Sequence, residues 1–401
     1  MAVSTRPTLD LQRRAARRRH STAADPRRSI GFVSTFPPTK CGLATFTASL
    51  AAALEPSCRT GVVSCVDEPG ETAVSPGVVA EWVRGSRASL HGAARALEEF
   101  DSVIVQHEFG VFGGPDGEDI LELVSRLSSP VVAVLHTVLE SPSPNQRRIV
   151  EELAAAAGCV VAQSEVARER LLTAHEIDPA RVAVVQHGAP ANVPLGPRPD
   201  DPGRRPVVLT WGLLGPGKGI EFAIEALAEL GDLDPLPRYL VLGQTHPNIV
   251  RHSGEAYRES LQALAAERGV VEMVEFDNAY RDTAEVLAEI RNADVVLLPY
   301  LSRDQVVSGV LVEAIASAKP VVSTAFPYAV ELLSAGSGIV VPHEDPGAIA
   351  TALRTLLTDR AAATIAAAVA RGQAASLTWE NVAVRYRELA RGVEHARALA
   401  G

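Results

Sequence analysis

From residue 29 onward the chain alternates two kinds of segment. Short runs that are apolar almost throughout, SIGFVST, RTGVVSCV, DSVIVQHEF, PVVAVLHTV, GCVVAQS and RVAVVQHG, are separated by longer Ala- and Leu-rich segments. A strand without polar alternation is one buried on both faces, as in a parallel sheet covered by helices. The pattern predicts an α/β domain over residues 29–187. A second series follows, PVVLTWGLL, RYLVLGQT, VEMVEFDN, RNADVVLLPY, KPVVST and SGIVV, again with helical segments between. It predicts a second domain of the same kind over residues 207–375.

Between the two series, GAPANVPLGPRPDDPGRRP is rich in Pro, Gly and Asp and has no period, so residues 188–206 read as a linker. The last segment, SLTWENVAVRYRELARGVEHARALA, spaces its apolar residues three and four apart and predicts a terminal helix within residues 376–401. Ahead of the first strand, residues 1–28 carry eight arginines against Asp10 and Asp25, a local charge of +6. Such an arm reads as disordered and solvated, with weak contact to an anionic membrane surface as its other use.

Composition narrows the function classes. At 401 residues, 47% hydrophobic and 21% charged, the chain is globular and long enough for two cores. A net charge of -10 argues against a nucleic-acid partner. Cys41, Cys58, Cys65 and Cys159 have no C-x-x-C spacing, which leaves neither a zinc site nor a disulfide framework and points to a reducing compartment. No apolar run approaches the ~18 residues of a membrane span, and none follows the basic arm as a signal peptide requires. The expected location is cytoplasmic, peripheral at the inner membrane face if the arm makes its contact.

Candidate chemistry gathers at strand ends. In PYLSRDQVVSGVLVEAIASAKPVVST, Pro299 to Thr324, a strand end, a polar loop and a Ser-Gly turn lead into a helix and a second strand. A helix N-terminus at Ser308-Gly309 offers unpaired N–H groups and a positive dipole end to an anion, and Glu313 follows one turn later to accept from hydroxyls. The same residues also suit a Ser N-cap and a surface Glu. In GLLGPGKGIE, Lys218 precedes a helix and can project toward the same anion. In the first series, FPPTKCGLATF places Gly42 in a loop entering a helix, without the G-x-G-x-x-G or P-loop spacing. VIVQHEF and VAVLHTV end in His107 and His136, on the sheet edge where open parallel sheets bind ligands.

These motifs, in this order and spacing, resemble the retaining family-4 glycosyltransferases of the GT-B fold, over nearly the whole chain after residue 28. The resemblance implies two Rossmann-like parallel-sheet domains facing a central cleft, the acceptor on the first and a nucleotide-diphosphate sugar on the second, and a final helix crossing back to the first domain. It implies transfer of a hexose to a carbohydrate or other hydroxyl acceptor with retention of configuration, with no metal and no cofactor beyond the donor as substrate. Lys218 with Gly215 would meet the diphosphate, and the amides of Ser308, Gly309 and Val310 would cradle it. Glu313 would hold the ribose, His136 would lie at the transferring sugar, and Gly42 and His107 would line the cleft. Two positions depart from the usual pattern: Gln305 stands where a first Glu is common, with seven residues between it and Glu313, and Leu213 where an Arg is common. An amide at 305 bonds sugar hydroxyls without contributing charge. The departures read as a variant branch. The competing readings are a nucleotide-sugar-binding regulatory protein without turnover and a nucleotide-sugar epimerase.

Overall fold

A computed structural model describes residues 28–193, 203–279 and 281–400. The first sheet contains β1 (Ser29–Ser34), β2 (Arg59–Val66), β3 (Val78–Val83), β4 (Ser102–His107), β5 (Val131–Leu135), β6 (Cys159–Ala162) and β7 (Val182–Val184). They lie in the order β3-β2-β1-β4-β5-β6-β7, every pair parallel. The second sheet contains β8 (Val207–Trp211), β9 (Arg238–Leu242), β10 (Val274–Asp277), β11 (Val295–Leu298), β12 (Val321–Thr324) and β13 (Gly338–Val341). Its order is β10-β9-β8-β11-β12-β13, also parallel throughout.

The apolar runs are where burial demands them. Every residue of β1, β4, β5, β6, β8, β11 and β12 is buried. Among the described strands, β3 is the one the alternation does not announce. Only Trp82 of its VVAEWV is buried, because β3 is an edge strand and its pattern is too weak to read.

Both sheets reverse direction in the same way. After β1 the chain runs outward through β2 and β3, then crosses back to place β4 on the other side of β1; β8, β9, β10 and β11 repeat this. Loops leaving the carboxyl ends of strands flanking such a reversal splay apart and open a crevice. One crevice lies between β1 and β4, the other between β8 and β11.

The C-terminal helix Trp379–Ala400 packs on the first sheet, burying Trp379, Val382, Tyr386 and Val393 with Ile30, Phe32 and Phe46. Where it starts, Ala189 N–H donates to Leu377 O (2.8 Å) and Trp379 N–H to Ala189 O (3.0 Å). The early part of the expected linker is thus held in place, and Asn192 Nδ2 donates to Leu287 O at 3.0 Å and Ser317 Oγ at 2.8 Å. Arg28, grouped with the basic arm on sequence, forms an ion pair with Glu394 of the terminal helix. The rest of that arm, residues 1–27, and linker residues 194–202 lie outside the described residues. Among the described residues, no helix is long and apolar enough to cross a membrane.

Candidate functional site

In the second domain the loop after β8 and the loop after β11 are pinned to each other. Leu301 N–H donates to Gly217 O at 3.1 Å, and Gly219, at φ +61°, lies so close to Pro299 that a Cβ there would sit 1.9 Å from its carbonyl oxygen. Glycine is required at 219 by conformation and by space. This seats Lys218 with its Nζ 4.1 Å from the centroid of the Tyr300 ring and about 4.0 Å from a Cβ built on Gly212. The ring face stabilises the cation. Among the described residues Lys218 makes no ion pair, so its charge remains available to an anion. Gly215 is extended at φ -173° and caps the turn Pro216–Lys218; a Cβ on it would meet Ile249 Cδ1 at 2.5 Å.

The helix Gly309–Ala316 begins beside this loop pair. Ser308 is its N-cap, its Oγ accepting from Leu311 N–H at 3.3 Å, which leaves the Gly309 and Val310 amides at the open end of the helix. Glu313, one turn in, accepts from Trp211 Nε1–H at 3.1 Å. Burial pushes its carboxyl up to about 7, against the Trp211 hydrogen bond that lowers it. A carboxylate this poorly compensated gains most from a hydroxyl-rich ligand. Trp211 is a site residue that the sequence reading missed. The signal was there: it ends β8, the central strand at the reversal.

In the first domain a polar row crosses the ends of adjacent strands. His136 Nε2 meets Gln106 Oε1 at 2.7 Å, and Gln163 Nε2 meets His136 Nδ1 at 2.9 Å. As these amides are placed, the ring is the neutral Nε2–H tautomer with both nitrogens engaged. Burial, with the neighbouring His187 and His107, pushes its pKa down to about 3. Phe46 stands edge-on to His136 at 4.8 Å and to His187 at 4.9 Å. Gly42 starts the helix Gly42–Leu54 that carries Phe46, with Cys41 as N-cap, its Sγ accepting from Ala44 N–H at 3.4 Å.

The structure corrects the reading of His107. Successive strand residues face opposite sides of a sheet, and on β4 it is Gln106 that faces His136. His107 is fully buried on the other side, edge-on to Phe109 at 5.0 Å, with neither ring nitrogen partnered among the described residues. Burial holds it neutral, its pKa lowered to about 4. It is a core histidine. The residues reaching the site are Gln106, Gln163 and His187, the last at the end of RVAVVQHG, where the sequence reading stopped at the strand.

The two domains meet around a cleft of about 490 Å³ lined by His136–Ser141, Arg170, Ser302 and Asp304–Val307. Val306 is buried among first-domain core residues, and Ser164 Oγ donates to its carbonyl at 2.7 Å. Arg170 Nη1 donates to Asp304 O at 2.7 Å and Val138 O at 3.3 Å. Across the mouth, the Glu331 carboxylate accepts from Val166 N–H at 2.8 Å and Glu165 N–H at 3.1 Å, capping a helix of the other domain. Gln305, between these anchors, turns its Nε2 to Val307 O at 2.9 Å.

The chain is similar to known proteins in sequence and in fold. Residues 197–373 match the family model described as Glycosyl transferases group 1. The D-inositol 3-phosphate glycosyltransferase of Kineococcus radiotolerans is 28% identical over 80% of this chain and 78% of that protein. The GDP-mannose-dependent alpha-(1-6)-phosphatidylinositol monomannoside mannosyltransferase of Mycolicibacterium smegmatis is 33% identical over 49% of this chain, and the chain spans half of that relative's length. The crystal structure of Anabaena Alr3699/HepE in complex with UDP superposes with a TM-score of 0.74 over 91% of this chain and 100% of that one, at 18% identity. The fold is therefore GT-B, with two Rossmann-like parallel-sheet domains, and the sequence matches support a group 1 glycosyltransferase.

Proposed function

We propose that this chain is a retaining glycosyltransferase that moves a hexose from a nucleoside-diphosphate sugar to an acceptor hydroxyl without a metal ion. The observation that carries the reading is the convergence at the β8/β11 reversal of the Lys218 ammonium, without an ion pair among the described residues, an open helix N-terminus at Gly309 and a half-buried carboxyl at Glu313. Cation, amides and hydroxyl acceptor match a diphosphate followed by a ribose.

In this reading Lys218 and the Gly309 and Val310 amides take up the charge that develops on the diphosphate as the anomeric C–O bond breaks. The new bond to the acceptor oxygen forms on the same face, and a departing phosphate oxygen accepts the acceptor's proton, so no side-chain base is needed. His136, neutral and held by Gln106 and Gln163, serves as a fixed wall for the sugar. Gln305 faces the cleft as an uncharged amide and bears on donor choice. The acceptor enters against the first domain; the inositol phosphate named for the Kineococcus relative is the first acceptor to try.

The test is incubation of the purified chain with UDP- and GDP-hexoses and inositol phosphate, following nucleoside diphosphate release and the anomeric configuration of the product by NMR, with and without EDTA. Acceptor-dependent release, a retained anomeric centre and indifference to EDTA are expected. Binding without release in any acceptor mixture sinks the transferase reading, and an inverted product sinks the mechanism.

A further inference from the structure

The polar row of the first domain does not end at Gln163. His187, at the end of the RVAVVQHG run beyond β7, lies at the start of the linker and touches the second domain. A Cβ built on Gly309 would stand 3.1 Å from His187 Nε2 and 3.2 Å from its Cε1. The first residue of the helix Gly309–Ala316 therefore carries no side chain where this imidazole comes against it. On its other sides the ring is edge-on to Phe46 at 4.9 Å and tilted against Trp379 at 5.5 Å.

The hydrogen bond of His187 fixes its tautomer. Nδ1 lies 2.6 Å from Gly188 O, and a carbonyl only accepts, so Nδ1 carries the proton. In the neutral ring Nε2 is then a bare lone pair beside the open end of a helix, without a partner among the described residues. That helix end attracts anions, and an anion oxygen cannot approach a lone pair. One proton resolves the conflict, because imidazolium donates from Nε2 while keeping its bond to Gly188.

We propose that His187 is a diphosphate-binding residue that takes one proton from solvent when the donor binds, supplying from the first domain a positive contact opposite Lys218. This rests on the donor reading of the Gly309 helix given above. The proton comes from the buffer, no covalent bond changes, and it returns when the nucleoside diphosphate leaves.

The surroundings fit a group that is neutral when empty and charged when filled. Burial holds the free imidazole down to about 4, against the Gly188 bond that raises it, so it is uncharged at neutral pH without ligand. The helix Gly42–Leu54 offers no ionisable side chain. Glu380, beside Trp379, is exposed. The ionisable group of the first-domain row is His136, itself neutral. On the helix Gly309–Ala316 the one ionisable residue is Glu313, whose elevated carboxyl would release a proton on binding ribose, the opposite sign. Comparison of the native chain with a His187 variant cancels the Glu313 contribution.

The experiment is titration calorimetry of the full chain with UDP-glucose and GDP-mannose at pH 6.5, in two buffers of different ionisation enthalpy. Neither diphosphate diester titrates there. His187→Gln, which keeps a polar end but cannot gain charge, and His187→Phe, which keeps the ring, are measured beside it, with thermal melts to show both are folded. The native chain is expected to take up between about half and one proton more per donor bound than either variant. Its Kd should weaken by up to about tenfold per pH unit relative to the variants as pH rises through the bound-state pKa. Equal proton counts in native chain and variants overturn the assignment of His187 and leave the donor site standing. Absence of binding to either nucleotide sugar overturns both.

Discussion

The carboxyl of Glu313 makes a stability cost measurable. Its pKa of about 7 in the folded chain compares with a reference of 4.5, and at ~1.4 kcal/mol per pK unit this is about 3.5 kcal/mol of destabilisation once both states are ionised. The sign follows from the elevation. The unfolded chain loses the proton first, so the favourable contribution is complete below about pH 4.5 and is lost as pH rises through about 7. Glu313→Gln keeps an oxygen for Trp211 Nε1–H and never ionises. Urea unfolding of both proteins at pH 5, 6, 7 and 8 should show the variant gaining on the native chain by about 2–3 kcal/mol across that range. Saturating donor should shrink the gap, since ribose hydroxyls compensate the native carboxylate and a ligand at 100 times its Kd stabilises by about 2.7 kcal/mol. A native-minus-variant difference that stays flat from pH 5 to pH 8 would refute the reasoning, because it would mean that water already solvates the carboxylate.

Three further outcomes are expected. Lys218→Gln should lower kcat/KM by about 10²-fold or more with an unchanged melting temperature, since it removes charge at the leaving group while Tyr300 packing tolerates the amide; a drop under threefold would place the diphosphate elsewhere. Gln305→Glu loses the donation to Val307 O and adds a charge at the cleft wall, so the ratio of kcat/KM values across a panel of nucleotide sugars should shift, and an unchanged ratio would remove Gln305 from donor choice. Arg170→Ala frees two carbonyls that lie on opposite domains, and because hydrogen bonds to charged groups contribute ~1.5–3 kcal/mol, KM should rise about tenfold with a smaller change in kcat; a fall in kcat alone would contradict a positioning role.

The fold was legible because its strands are buried on both faces and so announce themselves as apolar runs. The runs stand in two series, and two parallel sheets follow. Strand β3 escaped because an edge position does not demand apolar residues, and Trp82 is too little to read as a pattern. In the second domain Lys218, Gly309 and Glu313 could be assembled from sequence, because each lies within one turn of a strand end and a helix start, where local geometry dictates direction. The first domain was harder by a single residue. Strand parity decides whether Gln106 or His107 of the QH pair faces the cleft, and an unbroken apolar strand gives no polar alternation from which to count. Contacts such as Glu331 with the Val166 amide join positions 165 residues apart, and nothing local encodes them.

Those long-range contacts decide which domain shapes the cleft wall around Gln305. The loop from Ser302 to Val307 belongs in sequence to the second domain, yet Val306 is buried in the first-domain core and its carbonyl is held by Ser164. Asp304 is held through Arg170, while Gln305 O accepts from Tyr328 N–H of the second domain at 3.2 Å. Gln305 is therefore suspended between domains, with its neighbours on both sides fixed from across the cleft. At the opposite edge Ala189, Leu377 and Trp379 join through backbone hydrogen bonds and apolar burial. The mouth combines a neutral Ser164 hydrogen bond of ~1 kcal/mol and charged ones of ~1.5–3 kcal/mol each with the apolar burial of Val306, so neither edge rests on polar contacts alone. The wall that presents Gln305 therefore takes its shape from both domains.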